Sequence, residues 1–161
     1  MKGVRFLVDV NQAFEEYKNL VFRLGLMYTK NVRDAEDVCQ SVFLKLVEKK
    51  EQISQEAVKP WLITVTANLC KDRFRSFWHK KVQLTADEMI TVRKDESELL
   101  GNVMQLRKTE RVVIYLYYYE GYSTVEIGEI LGISQTNVST RLMRARKSLR
   151  SMLEENENDE I

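Results

Sequence analysis

The residues best suited to bind a polyanion lie in one short segment near the C-terminus, residues 136–150. Ordinary solvated faces of helices usually mix charges of both signs. This segment instead carries no acidic residue and five basic ones, which are Arg141, Arg144, Arg146, Lys147 and Arg150. Such a pattern predicts a surface that holds the phosphates of a nucleic acid through its cations.

Helical phase separates an apolar side of this segment from a polar side. At about 100° per residue, one narrow stripe must face the body of a domain, and it contains Val138, Leu142, Ala145, Leu149 and Met152. The opposite side and its flanks carry short polar groups, one soft apolar group and cations, namely Thr136, Ser139, Thr140, Met143, Arg144, Lys147 and Arg150. Side chains of these kinds read base edges in the major groove and hold phosphates. The alternative is an amphipathic helix whose basic face meets only solvent.

Arg141 and Arg146 lie nearer the edge of the apolar stripe than the other basic residues do. Either guanidinium could therefore pair with a carboxylate of the preceding helix, Glu126 or Glu129, instead of contacting DNA. Helical phase alone leaves both possibilities open.

A tight turn between two helices must position this surface. Ser123 is expected to cap the first helix, with Glu126 three residues later completing a capping box. Gly132 suits the left-handed residue that ends such a helix. Ser134 is expected to cap the second helix, which carries the basic surface.

A second segment, NLCKDRFRSFWHKK at residues 68–81, interleaves cations with the aromatic residues Phe74, Phe77 and Trp78. Aromatic rings stack on unpaired bases while cations follow the backbone. This pattern predicts a surface for single-stranded nucleic acid. The competing interpretation is that these aromatic residues belong to a core, as aromatic residues on helices more often do.

Hydrophobic periodicity of the helical kind recurs through the first half of the chain. Residues 11–28 and 61–77 each form one predicted helix, and Pro60 suits the first turn of the latter. A helix between them begins near Asp34, whose carboxylate suits an N-terminus. Leu44 lies on its polar side and indicates a protein partner, although single exposed leucines are common. The inner stripe of this helix contains Ala35, Val38, Val42 and Leu46.

The second half begins with residues 82–98, which lose periodicity and turn acidic. They predict a linker that like charge keeps away from DNA phosphates. A second helical module then starts at Leu99, and Thr109 is expected to cap a helix that runs to about Glu120. The tyrosines of that helix are expected to pack in a core rather than form a site, and they are Tyr115, Tyr117, Tyr118 and Tyr119.

Composition limits the class of protein and its compartment. The 161 residues are 44% hydrophobic, which is enough for cores, and the formal net charge of +1 hides strong local segregation. No apolar run approaches the roughly 18 residues of a membrane span, and the N-terminus lacks a secretory pattern. A cytoplasmic protein without direct membrane insertion is therefore expected.

Few residues are available for catalysis or metal binding. Cys39 and Cys70 interrupt helical patterns, so buried thiols are favoured over metal ligands, and His79 is the only histidine. The sequence shows no nucleophile–base pair, Gly-rich phosphate loop or metal signature. No enzyme activity, cofactor or metal is expected.

Three segments, in this order, resemble conserved regions of the extracytoplasmic-function (group IV) sigma factors of bacterial RNA polymerase. DAEDVCQSVFLKL (34–46) is similar to the segment that docks on the clamp helices of the polymerase β′ subunit. KPWLITVTANLCKDRFRS (59–76) resembles the segment that handles the −10 element. Residues 104–149 resemble the fourth region, which reads the −35 element.

The resemblance covers roughly residues 10–153 and implies an all-α fold of two small helical domains joined by a flexible linker. The implied divisions are a sigma region 2-like domain at 1–78, a linker at 79–98, a region 4-like helix-turn-helix domain at 99–153 and an acidic tail at 154–161.

The resemblance also implies roles for individual residues. The positions that match the family's −35-reading residues are Ser139, Thr140, Met143 and Arg144. Thr136 and Lys147 share their face and are assigned to the same site. The −10 positions comprise Asn68, which matches the residue that helps to hold a flipped base, and its neighbours Trp61, Asp72, Arg73 and Arg75. The positions that contact core polymerase are Asp37, Gln40 and Ser41, with Leu44 beside them.

The chain departs from the family pattern at a few positions. Ser41 stands where the family commonly has an acidic residue, and Arg107 where proline is frequent. Gly128 replaces a usual alanine and lowers helix propensity by up to about 1 kcal/mol. The uncharged Ser41 implies a weaker or different local contact with core polymerase, whereas the changes at 107 and 128 remove no recognition group.

The implied function is that of a dissociable subunit that directs promoter-specific initiation. Its implied partners are core RNA polymerase (the β′ clamp helices and the β flap), promoter DNA and an anti-sigma factor. The main alternative is a helix-turn-helix repressor or activator that binds duplex DNA as a dimer. That alternative accounts for residues 121–150 but leaves 34–46 and 59–81 without a purpose. A helical enzyme acting on nucleic acid and an adaptor without DNA affinity are further alternatives.

Overall fold

The computed structural model describes residues 7–77 and 94–159. For residues 73–77 and 94–99 it describes the backbone but not the side chains. Contacts divide the chain into two units, Met1–Met89 and Ile90–Ile161. The described residues of both units form helices, and pairing of the β type is limited there to one isolated bridge between Leu7 and Ser54. The predicted all-α fold with two helical units is confirmed.

The first unit contains three long helices. They are α1 (Val10–Thr29), α2 (Val32–Lys49) and α3 (Val58–Phe77), with short 3₁₀ turns at Lys50–Gln52 and Gln55–Ala57. Asp9 caps α1, because its carboxylate accepts the N–H of Gln12 at 3.1 Å.

The start of α2 agrees with the prediction of a helix that begins near Asp34. The helix begins at Val32, and the side-chain carbonyl of Asn31 caps it by accepting the N–H of Asp34 at 3.0 Å. Asp34 lies in the first turn, where its charge complements the helix dipole. Asn31, a residue type favoured at this position, directly follows the left-handed Lys30 that ends α1.

The inner stripe of α2 lies where helical phase predicts it. Ala35, Val38, Val42 and Leu46 are all fully buried. The three helices contact one another pairwise, and α1 and α3 contribute further buried side chains, including Leu20, Val21, Leu24, Leu62 and Ile63. Burial of each large aliphatic side chain stabilises the unit by about 1.5–3 kcal/mol.

The second unit carries four α-helices among its described residues. They are α4 (Lys94–Gln105), α5 (Lys108–Ile114), α6 (Thr124–Leu131) and α7 (Gln135–Asp159), and α5 continues directly into a π-helical turn at Tyr115–Tyr119. Residues 94–98 of the predicted linker are thus helical, and residues 78–93 lie outside the described residues. The predicted acidic tail is also helical as far as Asp159.

Two expectations for the α5 region are wrong. Arg107, without a capping side-chain bond, takes the N-cap position of α5, and the expected cap Thr109 lies inside the helix. Tyr115 is buried as expected, but Tyr118 and Tyr119 are 56% and 51% exposed. The π-helical turn is the physical reason, because a wider turn changes the direction of the side chains that follow it.

The two capping serines and the closing glycine of the turn before α7 lie at the predicted positions. The Ser123 hydroxyl accepts the N–H of Glu126 at 3.2 Å, and the Ser134 hydroxyl accepts the N–H of Asn137 at 3.1 Å. Gly132 ends α6 with a left-handed φ of 69°. A Cβ on Gly128 would lie 2.7 Å from the carbonyl oxygen of Ile133. The absence of a side chain at position 128 therefore permits a close approach of this turn to α6.

The two cysteines are free thiols. Cys70 is fully buried, as predicted, whereas Cys39 is half-buried and donates a weak hydrogen bond to the carbonyl oxygen of Lys18 at 3.8 Å. Burial raises the pKa of the Cys39 thiol. The described residues contain no group of three or more His, Cys, Asp or Glu side chains arranged to hold a metal ion.

Gly132→Ala should lower the free energy of unfolding by about 1 kcal/mol, because a Cβ disfavours the left-handed conformation. No heavy atom lies within 4 Å of the added Cβ, so a steric clash would not contribute. Urea unfolding of the full chain, followed by circular dichroism, measures the change. Gly132→Asn is the matched control, since asparagine tolerates this conformation and should lose less. Equal losses for both variants would contradict the explanation.

Cys39 should react with iodoacetamide slowly at pH 7 and faster as the pH rises, with a midpoint above the ordinary thiol value of about 8.5. The sign follows from burial, which raises the pKa of Cys39 and so lowers its thiolate fraction at neutral pH. Cys70 should label only after denaturation because it is fully buried. Mass spectrometry of labelled peptides distinguishes the two sites. Rapid labelling of both thiols in native protein at pH 7 would contradict the structure.

Candidate nucleic-acid interface

The polar side of α7 is exposed along its first turns. Val138, Leu142 and Ala145 are buried against α5 and α6, which turns the other side of the helix outward. Of the six predicted −35 residues, five are exposed and Thr140 is half-buried. We call these six residues the α7 face, and they are Thr136, Ser139, Thr140, Met143, Arg144 and Lys147. From first to last they span about 16 Å along the helix axis. This length suits a helix that lies in a major groove.

The α7 face combines a helix-bound hydroxyl, an exposed thioether and unpaired cations. The Thr140 hydroxyl donates to the carbonyl oxygen of Thr136 at 2.9 Å, and Met143 is 62% exposed. The side chains of Arg144 and Lys147 make no hydrogen bond or ion pair to the described part of the chain. Their charges are therefore available to an anionic partner.

Arg141 and Arg146 have partners other than Glu126 and Glu129, so the suggested pairing with those carboxylates is wrong. The Nε of Arg141 donates to the side-chain oxygen of Asn137 at 2.9 Å, one turn earlier in α7. The Nε of Arg146 donates to the Tyr118 hydroxyl at 2.7 Å. No local sequence pattern predicts the second bond, because it joins a residue of the π-helical turn to one 28 positions later in the chain.

Charge changes sign along α7. Its basic residues end at Arg150, and the following turns carry exposed Glu154, Glu155, Glu157 and Asp159. Carboxylates repel phosphates, so this acidic end cannot share a phosphate-binding role with the basic part. The surface of α7 suited to DNA is thereby limited to the turns before residue 151.

The predicted −10 residues with described side chains share one side of α3. Asn68 and Asp72 are exposed and lie one turn apart, and Trp61, two turns before Asn68, is half-buried. We call these three residues the α3 face. It lies opposite the buried side of the helix, which contains Leu62, Ile63, Thr66, Ala67 and Cys70. Arg73 and Arg75 belong to α3 by backbone, but their side chains lie outside the described residues.

The predicted polymerase-contacting residues form a stripe on α2, which we call the α2 face. Asp37, Gln40 and Leu44 are exposed and Ser41 is half-buried. These four positions recur at the spacing that places residues on one side of a helix, opposite the buried stripe. Leu44 is 60% exposed, and Val47, one turn later and 48% exposed, extends the apolar part of this surface. Sequence reasoning missed Val47, although its distance of three residues from Leu44 was a usable signal.

None of the described helices combines the length and the apolar character that crossing a membrane requires.

Known proteins share this combination of units. The family model for sigma-70 region 2 matches residues 13–79, and the model for sigma-70 region 4 matches residues 99–149. The ECF RNA polymerase sigma factor SigL of Mycobacterium tuberculosis is 32% identical over 155 residues, which are 88% of this chain and 87% of the relative. The ECF RNA polymerase sigma factor SigM of Bacillus subtilis is 29% identical over 95% of this chain and 100% of its own length.

A solved structure shows the same fold. The sigma factor RpoE from Bartonella quintana, in complex with the anti-sigma factor NepR, superposes with a TM-score of 0.68 at 19% sequence identity. The match covers 89% of this chain and 96% of that chain. The chain belongs to the extracytoplasmic-function sigma factors, and it is an alternative sigma factor that directs transcription initiation.

Proposed function

We propose that the two units divide promoter recognition between them, with a region 2-like domain at 1–78 and a region 4-like domain at 99–153. The single observation that carries the proposal is the α7 face. Its cations are exposed and unpaired within the described residues, on a capped helix whose other side is buried. In this proposal Ser139, Thr140, Met143 and Arg144 read bases of the −35 duplex. Thr136 and Lys147 contact the adjoining backbone.

The α3 face is proposed to receive the melted −10 strand. An indole ring, an amide and a carboxylate on one side of a helix can stack on a base and hydrogen-bond to its edge. Asn68 would hold a flipped base, with Trp61 and Asp72 beside it. Arg73 and Arg75 would follow the strand backbone, a role carried over from the family motif.

The α2 face is proposed to bind core polymerase at the clamp helices of β′, and the second unit to meet the β flap. A protein partner suits α2 because a 60% exposed Leu44 lies among polar groups that can make hydrogen bonds. Ser41 is uncharged where the family usually has a carboxylate, so Asp37 and Gln40 would supply most of the polar contact.

Polymerase is required on energetic grounds. Opening about ten stacking steps at roughly 1.4 kcal/mol each costs on the order of 14 kcal/mol. Capture of one or two bases returns only about 1–3 kcal/mol each. The isolated chain should therefore bind DNA weakly and in a salt-sensitive way, and open promoters only within the holoenzyme.

An anti-sigma factor is proposed as a further partner, and the cytoplasm as the place of action. Support for the partner comes from the RpoE–NepR complex, in which a protein of the same fold is bound to an anti-sigma factor. Polymerase and chromosomal DNA, the other proposed partners, are cytoplasmic in bacteria.

In vitro transcription with bacterial core polymerase and a library of genomic fragments tests the proposal. Mapped start sites should share one upstream motif with two parts, and core polymerase alone should not use them. A palindromic footprint of the free chain, with no start sites in the presence of core polymerase, would favour a dimeric repressor instead.

Leu44→Asp should weaken binding to core polymerase at least tenfold, about 1.4 kcal/mol, because the interface would then enclose an unpaired carboxylate. Leu7→Asp is the matched control, since Leu7 is similarly exposed at 58% in the same unit but lies outside the α2 face. Fluorescence anisotropy of labelled protein with core polymerase measures both. Equal effects of the two substitutions would argue against the α2 face.

Arg144→Gln should cost about 1–3 kcal/mol of promoter affinity and relax base preference at one position of the −35 motif. Lys147→Gln should instead weaken binding uniformly across sequences and reduce the salt slope by about one. Holoenzyme binding to a set of single-base promoter variants at several salt concentrations distinguishes these outcomes. If Arg144→Gln leaves the preference at every −35 position unchanged, its proposed base-reading role is wrong.

A further inference from the structure

Arg146 is the basic residue of α7 whose side chain is fixed by aromatic residues. Its Nε donates to the Tyr118 hydroxyl at 2.7 Å. Its guanidinium carbon lies 5.5 Å from the ring centroids of both Tyr117 and Tyr118, within the range of cation–π attraction. The two rings meet edge to face, with centroids 4.9 Å apart. The guanidinium is therefore held in one place while it remains exposed.

The π-helical turn brings Tyr118 to the surface. The N–H of Glu120 donates to the carbonyl oxygen of Tyr115 at 3.2 Å, which is the wide hydrogen bond of this turn. Tyr115 stays buried and donates its hydroxyl to the Glu120 carboxylate at 2.9 Å. Tyr118 is 56% exposed and meets Arg146 across the unit. Turns of this kind occur frequently at functional sites.

The pair retains donors that point to an anionic ligand. A guanidinium has five N–H donors, and only the Nε donor is used by Tyr118. The Tyr118 oxygen accepts that bond, so its own O–H proton is available to a further acceptor. Among the described residues no carboxylate pairs with Arg146. Two neighbouring donors, one of them charged, suit a phosphate oxygen.

The position of the pair indicates which phosphate it would meet. Arg146 follows Ser139 by seven residues and Met143 by three, so it lies on the flank of α7 that these two residues border. A helix in the major groove has base edges below it and the sugar–phosphate backbones along its flanks. Arg146 thus lies toward one backbone while the α7 face points to the bases.

We propose that Tyr118 is a positioning residue that holds Arg146 so that both donate to one backbone phosphate beside the −35 element. The inference rests on the proposed function and adds two residues outside the α7 face. The bond to Tyr118 limits the rotamers of Arg146 before DNA arrives, which reduces the ordering that binding requires.

The test measures promoter binding by holoenzyme over a range of salt concentrations. Arg146→Gln should reduce the slope of log K against log salt by about 0.9, the value for one lost phosphate contact. The loss should be uniform across −35 variants, since a phosphate carries no sequence information. Tyr118→Phe keeps the ring and removes the hydroxyl, and should weaken binding about threefold to tenfold. Addition of Tyr118→Phe to Arg146→Gln should weaken binding by less than it does in the wild-type chain, because Tyr118 acts partly through Arg146.

Further variants separate this role from a purely structural one. Arg146→Lys keeps the charge but not the fixed fork of donors, so it should retain the slope and lose affinity. Arg23→Gln, an exposed arginine of α1, should change neither quantity. If thermal unfolding shows that Arg146→Gln fails to fold, the affinities of Arg146→Lys and Tyr118→Phe test the proposal, and full affinity in both variants would overturn it.

The outcomes also separate this inference from the proposed function. If the wild-type holoenzyme initiates at specific promoters while Arg146→Gln keeps the full salt slope, the phosphate contact is wrong and the proposed function stands. Strictly additive losses for Tyr118→Phe and Arg146→Gln would overturn the positioning role. Weakened binding to core polymerase, with DNA binding unchanged, would assign the pair to a protein interface and overturn the inference as well.

Discussion

The interaction on which the recognition surface depends is the burial of one apolar stripe of α7. Val138, Leu142 and Ala145 are at most 2% exposed and pack within a unit that also buries Val113 and Ile127. Because these contacts fix the rotation of α7 about its axis, they determine which side chains face outward. A rotation by one residue, about 100°, would bury polar groups without partners, at a cost of about 1–3 kcal/mol or more each. The polar face is thus defined by the opposite side of the same helix.

The same constraint operates in the first unit. The fully buried Ala35, Val38, Val42 and Leu46 fix the rotation of α2, and Leu62, Ile63 and Ala67 fix that of α3. In each helix the residues that are assigned to polymerase or DNA and have described side chains lie on the side away from the core. Each proposed surface is therefore carried by a helix whose orientation is maintained by hydrophobic contacts independent of the surface residues. Substitution of the latter should change binding more than folding.

Helical phase and cap chemistry predicted much of this arrangement from sequence. The stripes of α2 and α7 and the caps at Ser123 and Ser134 depend on local patterns within one or two turns, which a sequence displays directly. The charges and residue types of the α7 face predicted DNA binding, whereas its −35 element and the polymerase contact of α2 came from the family resemblance, because phase identifies an exposed side and not its partner.

The features that sequence reasoning missed depend on the chain path. The cap of α2 is Asn31, which directly follows the left-handed Lys30 at the end of α1, and sequence reasoning did not identify it. The π-helical turn includes the backbone hydrogen bond from the Glu120 N–H to the Tyr115 carbonyl oxygen, which the tyrosine-rich sequence does not predict. Exposure of Tyr118 and its bond to Arg146 follow from that turn, so these errors share one physical origin.

The charge distribution along α7 explains why DNA recognition by this helix suits a subunit of RNA polymerase better than an independent DNA-binding protein. Acidic residues at the C-terminal end of a helix oppose its dipole, so Glu157 and Asp159 gain no stability there. Glu154 follows Arg150 by four residues, about 6 Å along the axis, which is within the physiological screening length of about 8 Å. A phosphate near Arg150 therefore also experiences repulsion from Glu154, and the net attraction of the helix for DNA is limited. In the proposed function, an α7 face with modest affinity of its own would bind promoters only when polymerase adds contacts elsewhere, so selection of a site would depend on the assembled enzyme.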